Sequence, residues 1–139
     1  MANKIKLEVV TPDKLLLSKD VDVVVCTGVD GEFGVLAGHV PFLSALAIGE
    51  PRFRDGNSTD YAAVSGGFAE VTGEKVTVLA EAAELAREID LDRAQRARER
   101  AEQRIAKTAA EQLEYSRAEA ALQRAMLRMR VAEKGRPTV

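Results

Sequence analysis

Four arginines, Arg93, Arg96, Arg100 and Arg104, recur at spacings of 3, 4 and 4 residues. A helix advances ~100° per residue, so this spacing lines them along one side. Each precedes a member of a row of mostly small apolar residues, Ala94, Ala97, Ala101 and Ile105, so the stripe borders a seam. Arg124 and Arg128 stand in the same way one residue before Ala125 and Met129. Guanidinium forks match phosphate and carboxylate geometry. Two such stripes on an antiparallel hairpin would border one anion-binding groove. The simpler reading from composition alone is a solvated helix face balanced by Glu99, Glu102 and Glu119 in i,i+4-type pairs. Arg98 falls opposite the stripe and is expected on the outward face. Nucleic acid is disfavoured by the acidic first half and by the lack of aromatics between the basic residues.

Other chemistries are poorly supported. The single cysteine, Cys26, lies in the apolar run "VDVVVC" and reads as an inert buried thiol. With one cysteine and one histidine, His39, neither an internal disulfide nor a His- or Cys-rich metal site is expected. His39 has no serine, cysteine or paired acid at a catalytic spacing. "GVDGEFGVLAGHVPFL" is rich in glycine but leads to Pro41 and an apolar strand, with no GK[ST], so it reads as a turn-forming loop and not a phosphate cradle. "VSGGFAEV", Val64 to Val71, reads as a bulge or tight turn between two strand-like runs.

Two modules must position these residues. Net charge is −6 over residues 1–84 and +4 over residues 85–139, which together give the chain's −2. Glycine and proline are absent from Glu74 to Lys134, whereas the first half is dense in both. The first half therefore suits short strands and turns, and the second suits long helices. "KIKLEV" sets Ile5, Leu7 and Val9 inward, "DVDVVV" sets Val21, Val23 and Val25 inward, and "EKVTVLAE" does the same with Val76, Val78 and Ala80. Pro51 opens "RFR", which fits an edge strand. Turns are expected at Thr11-Pro12-Asp13, Asp55-Gly56-Asn57 and Thr72-Gly73-Glu74. In the second half Asp90 is placed to cap a helix. A second helix carries the seam Ala118, Leu122, Ala125, Met129 and Val131 or Ala132, with Ser116 as its cap and a bend near residues 107–115. The expected fold class is α+β: an N-terminal antiparallel β-sandwich or flattened barrel over residues 1–86, then a C-terminal helical hairpin over residues 87–139. An alanine seam buries little, at about 0.8 kcal/mol per methyl, so the hairpin should close weakly and be able to switch.

The segments "GEFGVLAGHVPFLSAL", "VSGGFAEV", "VTVLAEAAE", "IDLDRA" and "ALQRAMLRMRVAEK", in that order, resemble the epsilon-subunit family of bacterial F-type ATP synthases. The match covers nearly the whole chain, and its specificity lies in the ordered set. The family usually has Pro where this chain has Ala37.

The resemblance implies a non-catalytic rotor subunit coupling proton translocation to ATP synthesis. Its β domain would bind the gamma subunit and stand on the c-ring, with Glu32 and His39 in the part that faces the ring. Its hairpin would be mobile and regulate hydrolysis, meeting an acidic segment of beta, within the alpha/beta hexamer, when extended. "IDLDRA" matches the I/L-D-x-x-R-A motif through which some bacterial members bind ATP. Carried over by position, the ATP contacts are Glu84, Asp90, Arg93, Arg100, Arg124 and Arg128. ATP is then a regulatory ligand, and no cofactor or metal is required. The expected location is peripheral, through the complex, on the cytoplasmic face of the bacterial plasma membrane. The alternative is a free-standing module using its basic hairpin on an anionic partner.

Overall fold

The computed structural model describes residues 3–107 and 112–135. Nine strands precede two helices among the described residues: β1 (Ile5–Val10), β2 (Leu15–Val21), β3 (Val23–Gly28), β4 (Gly31–Val35), β5 (Phe42–Gly49), β6 (Arg52–Asp55), β7 (Ser58–Val71), β8 (Lys75–Ala80), β9 (Ala83–Leu85), α1 (Leu91–Lys107) and α2 (Gln112–Lys134). The chain divides into two compact units, Met1–Leu85 and Ala86–Val139.

In the first unit the strands form one sheet in the order β2-β1-β8-β7-β5-β3-β4, with β6 joining β3 and β7, and β9 added to β7. The inward faces close on one core containing Ile5, Leu7, Val9, Val64, Val71, Val76 and Val78. The period-two reading thus holds for β1 and β8, whose inward residues are all at most 4% exposed. Every pairing is antiparallel except β1 with β8, which is parallel. A parallel neighbour needs a long crossover, and the intervening β2–β7 segment supplies it.

Three local expectations change. "DVDVVV" is not one strand: β2 ends at Val21 and β3 starts at Val23, with Asp22 between them. Val21 stays buried, but Val24 and Cys26 take the inward positions in place of Val23 and Val25. The backbone hydrogen bond from Asp22 N to Arg54 O at 2.7 Å and the bond its carboxylate accepts from Gly56 N at 2.7 Å hold this break. The "RFR" strand, β6, is internal: it pairs with both β3 and β7, and Phe53 is buried. Pro51 causes no conflict because it precedes the strand, and its carbonyl accepts from Ala62 N. Lastly, Gly66 and Gly67 form neither a bulge nor a turn between strands. β7 runs through them for 14 residues. Its register to β5 and β6 on one side, and to β8 and β9 on the other, is unbroken. Gly67 has φ +127°, and a Cβ there would lie 2.1 Å from the Leu79 carbonyl oxygen, so only glycine fits.

In the second unit a 3₁₀ turn (Ala86–Glu88) leads to α1. Asp90 caps α1 as expected, its Oδ1 accepting from Arg93 N at 3.1 Å. Ala94 and Ala101 are buried on α1, and Ala118, Ala125 and Ala132 on α2. The two ends of the hairpin are marked by contacts. Arg104 Nη2 lies 2.7 Å from Glu114 Oε1 near the bend. At the other end a Cβ on Gly135 would lie 2.6 Å from Ala86 Cβ. The helices therefore run antiparallel. The expected bend near residues 107–115 centres on residues outside the described ones. Ser116 does not cap α2, because α2 is already helical from Gln112. Leu127 and Val131 are fully buried on a side of α2 some 120–160° from the alanine row, by the ~100° advance per residue, so α2 is covered on two sides.

Candidate functional site

The arginine stripe on α1 lies in solvent. Arg93, Arg96, Arg100 and Arg104 are all exposed, one helical turn apart from each other in succession. They are kept there by the helix itself: the alanine row takes the buried side, and the Asp90 cap fixes where α1 starts. Exposed guanidinium groups at this spacing present several N–H donors along one line, which suits an anion with several oxygens. On α2, Arg124 is exposed and Arg128 is half-buried, one turn apart, with Ala125 buried beside Arg124. Arg93 and Arg100 on α1, with Arg124 and Arg128 on α2, thus belong to one helical unit, together with Asp90. Glu84 belongs to the first unit, half-buried in β9 opposite Ala63 of β7. The carboxylate of Asp90 is engaged with the helix N-terminus through the bond to Arg93 N, a placement the helix dipole favours.

Arg98 departs from expectation. It lies ~40° around the helix from buried Ala94, four residues on, and is half-buried on the seam side. Arg98 is opposite the stripe, but the stripe is the outward face. Its Nε is screened from solvent and approaches Glu102 Oε1 at 3.4 Å, an ion pair and not a hydrogen bond. A hydrophilic residue within the alanine periodicity was the available signal.

In the first unit, Glu32 lies on β4 opposite Thr27 of β3 and accepts a bond from Arg52 Nη1 of β6 at 3.0 Å. His39 lies in the β4–β5 connection. Its backbone N donates to Leu36 O at 3.1 Å, and its ring Nδ1 is 2.7 Å from Val40 O. The His39 ring packs on Phe42 at 5.1 Å between centroids, and Phe42 packs edge-on against Phe33 at 5.0 Å. Glu32 and His39 make no contact with each other among the described hydrogen bonds and ion pairs; the Phe33–Phe42 contact connects their surroundings. Leu36, Val40 and Leu43 stand exposed around this connection, Val40 at 71%.

Cys26 is buried in β3, and burial pushes its thiol up to about 12. A thiol held neutral is no nucleophile. No group of three or more candidate metal ligands occurs among the described residues. No described helix is long and apolar enough to cross a membrane.

Two family models tile the chain. One, described as ATP synthase, Delta/Epsilon chain, beta-sandwich domain, matches residues 4–86. The other, ATP synthase, Delta/Epsilon chain, long alpha-helix domain, matches residues 87–133. The ATP synthase epsilon chain of Syntrophobacter fumaroxidans is 58% identical over 134 residues, covering 96% of this chain and 99% of that one. That of Nitratidesulfovibrio vulgaris (strain DP4) is 57% identical over 131 residues, covering 94% and 97%. Among solved structures, a chain of the Euglena gracilis mitochondrial ATP synthase is similar with a TM-score of 0.75 and 28% identity, over 88% of this chain and 78% of that one. A chain in the central stalk and c-ring structure of the Tetrahymena thermophila mitochondrial ATP synthase shares the fold, with a TM-score of 0.61 at 13% identity.

Proposed function

This chain belongs to the ATP synthase delta/epsilon chain family, and on that premise we propose that it serves as the non-catalytic epsilon subunit in the central stalk of an F-type ATP synthase. The two family matches, in order and end to end over residues 4–133, carry this reading. In it, residues 1–86 bind the gamma subunit and stand on the c-ring, with Glu32 and His39 on the side that meets the ring. The exposed Leu36, Val40 and Leu43 around His39 support a protein-covered surface there, since exposed apolar residues in a cluster mark contact sites. Residues 87–139 form the regulatory hairpin. The complex places the subunit peripherally at the cytoplasmic face of the bacterial plasma membrane, where proton flow drives the rotor.

In the same reading the chain binds ATP through the hairpin residues Asp90, Arg93, Arg100, Arg124 and Arg128, with Glu84 of β9 as the remaining contact. What supports this is that Arg93 and Arg100 of α1 and Arg124 of α2 are displayed to solvent. ATP would favour the closed hairpin by binding it better than the extended one, which is the only way a ligand shifts such a balance. The extended hairpin would offer the same arginines to an acidic segment of beta. Titration of ATP into the isolated chain by calorimetry tests the nucleotide part, and absence of heat at millimolar ATP overturns it. Co-purification with gamma tests the stalk part independently.

A further inference from the structure

The seam between α1 and α2 is built from residues that bury little. Ala94 and Ala101 are the buried residues of α1, and Ala118, Ala125 and Ala132 form the buried alanine row of α2. Such methyls contribute far less per position than leucines would. At the bend end of the hairpin, the contact between the helices is polar. Arg104 Nη2 of α1 lies 2.7 Å from Glu114 Oε1 of α2. Arg104 is in the last turn of α1 and Glu114 in the first turn of α2. Each charge therefore also suits the dipole of its own helix end, which keeps both side chains near the bend. The side chains remain partly accessible, at 45% and 32% of their full exposure, so solvent can compete for the pair.

The pair is specific to one shape of the hairpin. Arg104 and Glu114 are ten residues apart in sequence. Were the chain to straighten into one continuous helix, they would sit about 15 Å apart along its axis, beyond reach of each other. The ion pair therefore exists only while the hairpin is folded back. We propose that Arg104–Glu114 is a latch that biases the hairpin toward its closed state, acting at the bend and separately from any ligand in the arginine groove. The proposal rests on the hairpin being two-state, as in the function proposed above. It adds a determinant that needs neither nucleotide nor a partner subunit. The same bond from Arg104 holds the Glu114 carboxyl below its usual range.

The test uses the full chain without nucleotide, carrying spin labels at Gln103→Cys and Ser116→Cys, both exposed; Cys26 stays buried and unlabelled. Pulsed dipolar spectroscopy then reads the ratio of long to short inter-label distances. Glu114→Gln and Arg104→Gln should each raise that ratio about two- to fivefold, the range an exposed pair can carry. The exchange Arg104→Glu/Glu114→Arg should bring it at least halfway back, short of full recovery because the swapped charges oppose both helix dipoles. An unchanged ratio in both single variants overturns the latch, and so does an exchange variant as open as the singles. ATP titration on the same samples separates the two ideas. Loss of ATP binding with the distance pattern intact would sink the nucleotide reading and leave the latch standing.

Discussion

At the scale of single residues, position around α1 decides what an arginine can do. Arg93 is exposed and Arg98 is turned toward the seam. In the nucleotide reading, Arg93→Ala or Arg128→Ala each removes a charge-assisted bond of roughly 1.5–3 kcal/mol. The expected loss of ATP affinity is about ten- to a hundredfold, read by calorimetry; wild-type affinity in both variants would return these residues to a solvated face. Arg98→Met should leave ATP affinity unchanged. It keeps the packed stem while removing a screened Nε that lacks a hydrogen-bond partner, so urea unfolding should show a change between neutral and about 1 kcal/mol more stable. Cys26 gives a pH prediction. Its thiol is neutral up to about 12 when folded, against 9.0 in the reference state. The folded chain then binds more protons than the unfolded one between these values, so stability is flat below pH 9.0 and falls as pH rises above it. The Cys26 contribution to the slope should approach about 1.4 kcal/mol per pH unit and be missing in Cys26→Ala, as the difference between urea titrations of the two proteins at several pH values would show.

At the scale of elements, β7 is the member on which the first unit depends. It pairs with β5 and β6 along one edge and with β8 and β9 along the other. Gly67 lets the Leu79 backbone approach within a distance no side chain tolerates. Gly67→Ala must therefore push β8 away or force an L-residue into positive φ, and should cost about 3 kcal/mol or more. Circular dichroism melts will read this as a large fall in melting temperature; a change within one or two degrees would mean β7 and β8 adjust more freely than their register implies. Where β1, β2 and β6 meet, Lys4 and Lys19 both pair with Asp55, and Arg54 approaches Asp22 at 3.7 Å. The bond from Lys4 holds the Asp55 carboxyl below its usual range. A depressed carboxylate lends stability that is present above its unfolded value and lost as pH falls through its folded one. Since Lys4 is exposed and Asp55 is only half-buried, this contribution is small and salt-sensitive.

At the scale of the whole molecule, a chain that divides into two compact units predicts separable behaviour. A chain truncated near Glu88 keeps every strand and the core of the first unit. It should remain folded by circular dichroism and bind gamma. An unfolded truncation product would show that the β unit depends on the helices. In the proposed function, removing residues 89–139 should also raise the ATPase rate of the assembled enzyme where that rate is inhibited, because the net basic segment proposed to meet an acidic segment of beta is gone. An unchanged rate at low ATP would mean that the hairpin does not inhibit.

The amino-acid sequence by itself determined the partition into a strand-rich and a helical half, the inward faces of β1 and β8, the cap at Asp90, the inert thiol and the family. All of these rest on local chemistry: period-two alternation, absence of glycine and proline, a carboxylate at a helix start, and ordered motifs. Only the tertiary structure decided that β6 is internal, that β1 takes a parallel neighbour, and that Val24 and Cys26 replace Val23 and Val25 in the core. It also decided that β7 runs unbroken through two glycines, that Leu127 is fully buried, and that Arg98 faces the seam. These depend on which distant segment lies alongside. Strand alternation tells the two faces of a strand apart but not its neighbours, and a one-residue break at Asp22 exchanges the faces of β3 relative to β2. Helical periodicity likewise separates one side of α1 from the other, and packing alone settles which side is covered.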